Sequence, residues 1–249
     1  MSDLSNMNND ITIRIDGVDC SARPGENVMQ AADANGIYIP RLCWMKGMSP
    51  IGACRVCTCK VDGRTVAACT EPVRDGMEIE NDTPEMQDLR RSVTEMLFVE
   101  GNHYCMYCEA SGNCELQATA YRLGVTAPSH SYQFPDRPID STHPDIFVDR
   151  NRCILCGRCV RAARELDGKA TFQFIGRGSD RHIGVNSSKG LGGTQVKVTD
   201  ASISSCPVGC LIPKRVGFNR PVGQRIFDLA PIGTEIERRR QAPKEVHDD

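Results

Sequence analysis

The chain has 249 residues, with 30 basic against 32 acidic side chains and a net charge of −2. That length suits one large or two to three small domains, and the balanced charge provides no general field to gather nucleic acid or an anionic membrane. Fourteen cysteines beside an aromatic share of only 5% point to small modules that lean on metal sites for cohesion.

The stretch Met1–Asp10 is polar, so no secretory leader is expected. Nothing approaches the ~20 apolar residues of a membrane-spanning helix. Cysteines in C-x2-C hooks in such a chain favour metal over disulfides. A soluble cytoplasmic protein is the expectation.

The elements suggest an α+β chain with boundaries at 1–82, 83–130, 131–225 and 226–249. Ile11, Ile13 and Ile15 alternate with polar residues, Asp16–Gly17 follows, and Val18, Cys20 and Ala22 alternate again, which predicts a hairpin with a tight turn. After Pro24–Gly25, Val28, Ala31 and Ala32 sit at helical spacing until Gly36. Cys59–Val61, Asp62–Gly63 and Thr65–Ala67 predict a second hairpin, and the order suggests a β-grasp arrangement. Cys43, Cys54, Cys57 and Cys69 are spaced C-x10-C-x2-C-x11-C along a loop bearing Gly47 and Gly52. Four thiolates on such a loop and hairpin fit a [2Fe–2S] centre, although the plant-type ferredoxin pattern has about four residues where this chain has ten. Cys59 competes with Cys57 for the third position. The C-x2-C hook favours Cys57 and leaves Cys20 and Cys59 as buried thiols.

Thr83–Pro84 predicts a helix start, with Leu89, Val93, Met96 and Leu97 on one packing face and Gly101 at the end. His103, Cys105, Cys108 and Cys114 come next, followed by a short helix over Glu115–Leu123 stopped by Gly124. Three cysteines need a fourth ligand, and His103 is the nearest candidate. A Cys3His zinc site is the competing reading on local spacing, while the neighbouring clusters favour a His-ligated [4Fe–4S], whose potential imidazole should raise.

Residues 126–145 hold four prolines and read as a surface connector. Ile146–Val148 predicts a strand feeding Cys153, Cys156 and Cys159, a C-x2-C-x2-C run. Position 163 is alanine, so the run should hold one [4Fe–4S] with the distant Cys206 of Cys206–Pro207 as fourth ligand. A structural zinc site normally uses paired hooks instead. A short helix is expected over Val160–Leu166, with Arg161 and Arg164 on a solvated face, and a strand over Gln195–Val198. Gly176–Arg177–Gly178 lacks the third glycine of a dinucleotide fingerprint. Cys210 reads as a packing thiol and Glu235–Asp249 as a charged, frayed tail.

The ordered set of C-x10-C-x2-C-x11-C, a His with C-x2-C-x5-C, and C-x2-C-x2-C with Cys206–Pro207–Val208–Gly209 resembles the N-terminal region of the large iron–sulfur subunit of complex I. The same module recurs in soluble NAD-reducing hydrogenases, some NAD-dependent formate dehydrogenases and iron-only hydrogenases. The complex I subunit runs on well beyond its last cluster. Gly101–Asn102–His103, Cys206–Gly209 and Lys214–Phe218 resemble the small diaphorase subunits of bidirectional NAD-reducing nickel–iron hydrogenases. Much of the wider family has His-x3-Cys, whereas Gly101 stands at that place here and His103 gives His-x-Cys.

The resemblance implies one [2Fe–2S] on Cys43, Cys54, Cys57 and Cys69, and two [4Fe–4S] clusters, one on His103, Cys105, Cys108 and Cys114 and one on Cys153, Cys156, Cys159 and Cys206. The implied role is electron transfer within a hetero-oligomer. The implied partners are a flavin-bearing diaphorase subunit and the hydrogenase small and large subunits, which carry FMN, NAD and the Ni–Fe centre. The chain itself displays no flavin or nicotinamide fingerprint, no nickel-binding cysteine pairs and no nucleophile–base set, so no catalytic residue is expected in it. The same relay in a formate dehydrogenase, and a zinc-stapled interaction protein, are the alternatives.

Overall fold

A computed structural model describes residues 10–241. Met1–Asn9, where most of the polar N-terminal stretch falls, and residues 242–249 lie outside the described residues. The chain forms two compact units. The first takes in the chain up to Pro40, Cys57–Asp88 and the chain from Gly233 on; the second is Arg41–Val56 with Leu89–Ile232.

In the first unit, β1 (Ile11–Ile15) and β2 (Val18–Ala22) form the expected hairpin, and β3 (Thr58–Val61) and β4 (Arg64–Ala67) form the other. Their Asp-Gly turns place Asp16 (φ 50°), Gly17 (φ 77°), Asp62 (φ 47°) and Gly63 (φ 79°) all in the left-handed region. Two positive φ values in succession match the right-handed twist of the strands, which is why Asp-Gly marks such turns. Both turn aspartates have a second task. Asp16 accepts from the N–H groups of Asn81 (2.7 Å) and Asp82 (3.1 Å), and Asp62 from that of Glu78 (3.0 Å). They thus hold β5 (Glu78–Glu80), which lies between β1, to which it is parallel, and β3. The sheet order β2-β1-β5-β3-β4 is the expected β-grasp order. Ile13, Ile15, Val61 and Ile79 face inward and are buried, as period-2 alternation requires.

Helix α1 (Val28–Ala34) buries Val28, Met29, Ala31 and Ala32. Asn27 and Gln30 cap it reciprocally, and Gly36 (φ 69°) ends it. Helix α2 (Pro84–Val99) starts where Thr83–Pro84 predicts, with the Thr83 hydroxyl accepting the Met86 N–H at 3.3 Å. Its inward stripe differs from the expected one. Met86, Arg90 and Thr94 are buried and Val93 and Leu97 pack against the core, while Leu89 and Met96 are exposed. A buried arginine occupies a place that a search for apolar periodicity passes over.

The second unit contains α3 (Glu115–Leu123), ended by Gly124 at φ 70°, then β6 (Ile139–Asp140), β7 (Ile146–Asp149), α4 (Arg158–Glu165), β8 (Phe172–Ile175), β9 (His182–Val185), α5 (Ala201–Ser204), β10 (Leu211–Pro213) and α6 (Ile226–Leu229). A three-stranded sheet runs β10-β7-β6, and β8 pairs with β9. Leu42, Ile146, Val148, Phe172, Ile183 and Ile203 build its core together with Cys43, Cys54, Cys153, Cys156 and Cys159.

Three expectations are corrected here. Gln195–Val198 is not a strand: Asp200 takes the Lys197 N–H (2.8 Å) and Thr194 Oγ1 the Val196 N–H (3.3 Å), so side chains satisfy groups a ladder would use. Arg161 is buried, with its guanidinium on the carbonyls of Cys43, Ser49 (2.5 Å) and Gly157 (3.3 Å); Arg164 is exposed as expected. Within the tail, α7 (Thr234–Gln241) is an ordered helix of the first unit, with Ile236 buried and Arg240 against Gly36. Gly176 and Gly178, both at positive φ, lie in the β8–β9 connection, which is turn geometry. No helix among the described residues is long and apolar enough to cross a membrane.

Candidate metal centres

The C-x2-C-x2-C run follows a single 3-10 turn, Arg150–Arg152. Leu155 (φ 52°) and Gly157 (φ 67°) then bend the chain through left-handed conformations. For leucine that conformation costs about 1–2 kcal/mol, and such strain persists where the surroundings over-determine it. The result is a loop wrapped around a cavity lined by Cys153, Cys156, Cys159, Cys206 and Cys210. The Leu155 N–H points to Cys153 Sγ (3.4 Å), the kind of N–H···S contact that tunes a metal–thiolate centre. Cys159 enters on the first turn of α4, and Cys206 arrives just after α5.

Burial pushes the Cys156 thiol up to about 12 and Cys159 well above the ordinary range. The neighbouring Cys210 thiol holds Cys206 down to about 7 and lowers Cys153, and both in turn raise Cys210. Cys210 is therefore more than packing. It stands in the wall of the cavity as a fifth thiol, which the ligand spacing alone gave no reason to place there.

The second cavity is lined by His103, Cys105, Cys108 and Cys114 together with Phe98, Arg152 and Gly209. Cys105 and Cys108 bracket a 3-10 turn, Cys105–Tyr107, and Cys114 caps α3, its Sγ facing the Gln117 N–H at 3.5 Å. His103 packs edge-on against Phe98, with ring centroids 5.5 Å apart. Its Nε2 is buried and has no hydrogen-bond partner. A buried ring nitrogen with nothing to bond calls for an explanation, and a metal is the natural one in a cavity walled by three thiols. Burial, with Arg152 and Arg137 nearby, pushes this imidazole down to about 4, so it is neutral and can donate a lone pair. Arg152 reaches Cys108 Sγ at 3.6 Å while paired with Glu109 (2.7 Å) and Asp149 (2.9 Å).

The two cavities are joined through Cys206–Gly209. The Pro207 carbonyl accepts the Glu115 N–H (2.9 Å) and lies 3.6 Å from Cys114 Sγ, and Gly209 packs so closely that a Cβ there would stand 2.7 Å from Cys108 Sγ. Among the described residues no three His, Cys, Asp or Glu side chains converge on a point that would hold a single metal ion. The donors stand around cavities instead, and cysteine thiolates, replaced in part by imidazole in Rieske centres, are the ligands of iron–sulfur clusters.

The remaining candidates fall in both units. Cys57 and Cys69 flank the open end of the β3–β4 hairpin in the first, where the Ala68 N–H bonds the Cys57 carbonyl at 3.1 Å. Cys43 and Cys54 belong to the second, where the Cys43 N–H faces Cys54 Sγ at 3.3 Å. All four are buried. Gly47 (φ 87°), Gly52 (φ 62°) and Arg55 (φ 58°) turn the intervening loop. The Cys59 thiol lies 3.6 Å from the Cys57 carbonyl.

Residues 8–84 match the 2Fe-2S iron–sulfur cluster binding domain, residues 90–129 the NADH-ubiquinone oxidoreductase-G iron–sulfur binding region, and residues 143–212 the ferredoxin-like domain of NADH-quinone oxidoreductase subunit 3. The NAD-reducing hydrogenase HoxS subunit gamma of Cupriavidus necator is 38% identical over 89% of this chain and 95% of its own length. The chain belongs to the HoxS gamma-subunit family. A chain in the crystal structure of an NAD+-reducing [NiFe]-hydrogenase in the H2-reduced state superposes with a TM-score of 0.88 at 42% identity, over 92% of this chain and 98% of that one. More distant relatives of the gamma family are longer. The chain spans 24% of the alpha subunit of the NADPH-Fe(3+) oxidoreductase of Geobacter sulfurreducens, at 33% identity over 84% of its own length. It spans 29% of the mitochondrial NADH-ubiquinone oxidoreductase 78 kDa subunit of Candida albicans, at 30% identity. Membership makes this gamma-type chain an iron–sulfur protein with domains of both the 2Fe-2S and 4Fe-4S kinds.

Proposed function

We propose that the chain is a three-cluster electron relay between a hydrogenase module and a flavin-bearing diaphorase subunit that handles NAD. On this reading Cys43, Cys54, Cys57 and Cys69 hold a [2Fe–2S] cluster. His103, Cys105, Cys108 and Cys114 hold one [4Fe–4S], and Cys153, Cys156, Cys159 and Cys206 the other. FMN, NAD and the Ni–Fe site reside on partners, the last with the hydrogenase small and large subunits, in a cytoplasmic complex where thiols stay reduced.

The observation that carries the reading is the pair of thiol-lined cavities in the second unit, interlocked at Pro207 and Gly209. Bound clusters supply one-electron storage. The chain's own residues hold them, exclude water and turn N–H groups and arginines toward sulfur, the features that set iron–sulfur potentials. The test is the metal content of the anaerobically purified complex. About ten iron per copy of this chain is expected, with nickel in a co-purifying subunit. Molybdenum without nickel would assign the relay to a formate dehydrogenase, and zinc without iron would end the electron-transfer reading.

The His103 assignment makes a separate prediction. His103→Cys should retain iron while lowering the midpoint potential of that cluster, because an anionic thiolate replaces a neutral imidazole. A redox titration followed by electron paramagnetic resonance (EPR) reads this directly, and an unmoved potential would remove His103 from the ligand set.

A further inference from the structure

Arg158 lies between Cys156 and Cys159, on the first turn of α4, with its side chain 5% exposed. Its guanidinium meets Glu115 fork to fork, at 2.6 and 2.8 Å, and also donates to the carbonyls of Trp44 (2.9 Å) and Ser205 (3.5 Å). Each partner adjoins a different candidate ligand. Trp44 follows Cys43, Glu115 follows Cys114 and Ser205 precedes Cys206. Four donor bonds are thus spent on segments that adjoin all three ligand sets, and the contacts all lie within the second unit. The Nε–H is also buried, yet it has no hydrogen-bond partner. The positive charge acts on the Cys156 and Cys54 thiols.

Stability alone is a weak reason for such a pair, since buried ion pairs are commonly replaceable by apolar residues without loss. Charge beside a redox centre is a stronger reason. An added electron makes a cluster more negative, so a nearby cation stabilises the reduced form and a carboxylate the oxidised form. The low dielectric of the interior magnifies both effects. A buried N–H with no partner is what a sulfur of a bound cluster would accept.

We infer that Arg158 and Glu115 are positioning residues that together set the reduction potentials of the flanking [4Fe–4S] clusters, Arg158 raising them and Glu115 lowering them. This rests on the cluster assignment proposed above. The two variants should therefore move the potentials in opposite directions, which a merely structural role would not do.

The test is EPR-monitored redox titration of the intact complex carrying Arg158→Gln, Arg158→Lys or Glu115→Gln, with iron counted in each. Arg158→Gln should lower the midpoint of the cluster on the Cys153–Cys159 run and Glu115→Gln should raise it. Each shift should be about tenfold in the oxidised-to-reduced ratio at fixed potential, or about 59 mV for one electron. Arg158→Lys, which keeps the charge, should fall nearer the wild type than Arg158→Gln. Shifts in the same direction, no shifts, or loss of iron in both Arg158→Lys and Glu115→Gln would overturn the inference. If Arg158→Gln alone sheds iron, the direction of the Glu115→Gln shift decides. A wild-type complex without two distinct [4Fe–4S] signals would instead refute the cluster assignment.

Discussion

Replacing Cys156 with alanine is expected to abolish electron transfer between hydrogen and NAD in the assembled complex, while the partner's flavin-level oxidation of NADH by an artificial acceptor continues. Cys156 sits at the middle of the ligand run, between Leu155 and Gly157 in their left-handed conformations, and is 7% exposed. Ile154, Ile183, Val208 and Leu211 form the apolar part of the wall around it. Cys210 is the nearby spare thiol in the same cavity wall, and the iron count shows whether it substitutes. About four of roughly ten iron atoms should be lost. Because a relay is a series conductor, the loss of one centre stops coupled turnover. Iron counting and the two activities measured side by side check this, and undiminished coupled activity would remove Cys156 from the ligands.

Gly209→Ala should do comparable damage to the other [4Fe–4S] cluster, though position 209 belongs to the segment that carries Cys206. The new Cβ would stand 2.7 Å from Cys108 Sγ and 3.3 Å from the Ala110 Cβ. Either Cys108 or the Pro207–Cys210 segment must move. Overpacking of this sort costs about 1–3 kcal/mol where surroundings are rigid. Here the displaced atom is a candidate ligand, so the cost should appear as iron lost from the His103, Cys105, Cys108 and Cys114 set. The expected signature is the selective loss of that cluster's EPR signal, with Gly209→Val worse than Gly209→Ala. Full retention of both signals in the valine variant would mean that the segment yields without disturbing Cys108.

Much of this architecture can be read from residue order, because the relevant physics is local. Asp16–Gly17 and Asp62–Gly63 announce hairpins since few other pairs tolerate two positive φ values. Thr83–Pro84, Gly36 and Gly124 mark helix ends by satisfying or releasing backbone groups, and cysteine spacing announces cluster loops. What escapes such a reading depends on long reach. Arg161 looks like a solvated charge on a short helix, yet its partner Ser49 lies 112 residues away, and the Trp44 carbonyl that Arg158 meets lies 114 residues from it. Cys210 looks like packing until β10 pairs with β7 and brings it beside Cys153 and Cys206. The strand expected over Gln195–Val198 had the right composition but no neighbour to pair with, because Thr194 and Asp200 take its N–H groups. Arg90 hides the true inward face of α2 for the same reason, being a charged residue in an apolar register.

The central place of β5 bears on how the first unit is made. Both hairpins can form from neighbouring residues, but they share no ladder until Glu78–Glu80 slips between β1 and β3. The pairing of Arg14 with Glu78 is parallel and joins distant parts of the chain, the slow kind of contact in folding. During synthesis, then, the inner edges of β1 and β3 stay bare until the last strand emerges, and bare edges are templates for another chain. Asp16 and Asp62, already fixed in their turns, wait with carboxylates for the N–H groups at either end of that strand. Each ties one end of that strand to a flanking hairpin, so both inner edges are covered by the chain's own backbone.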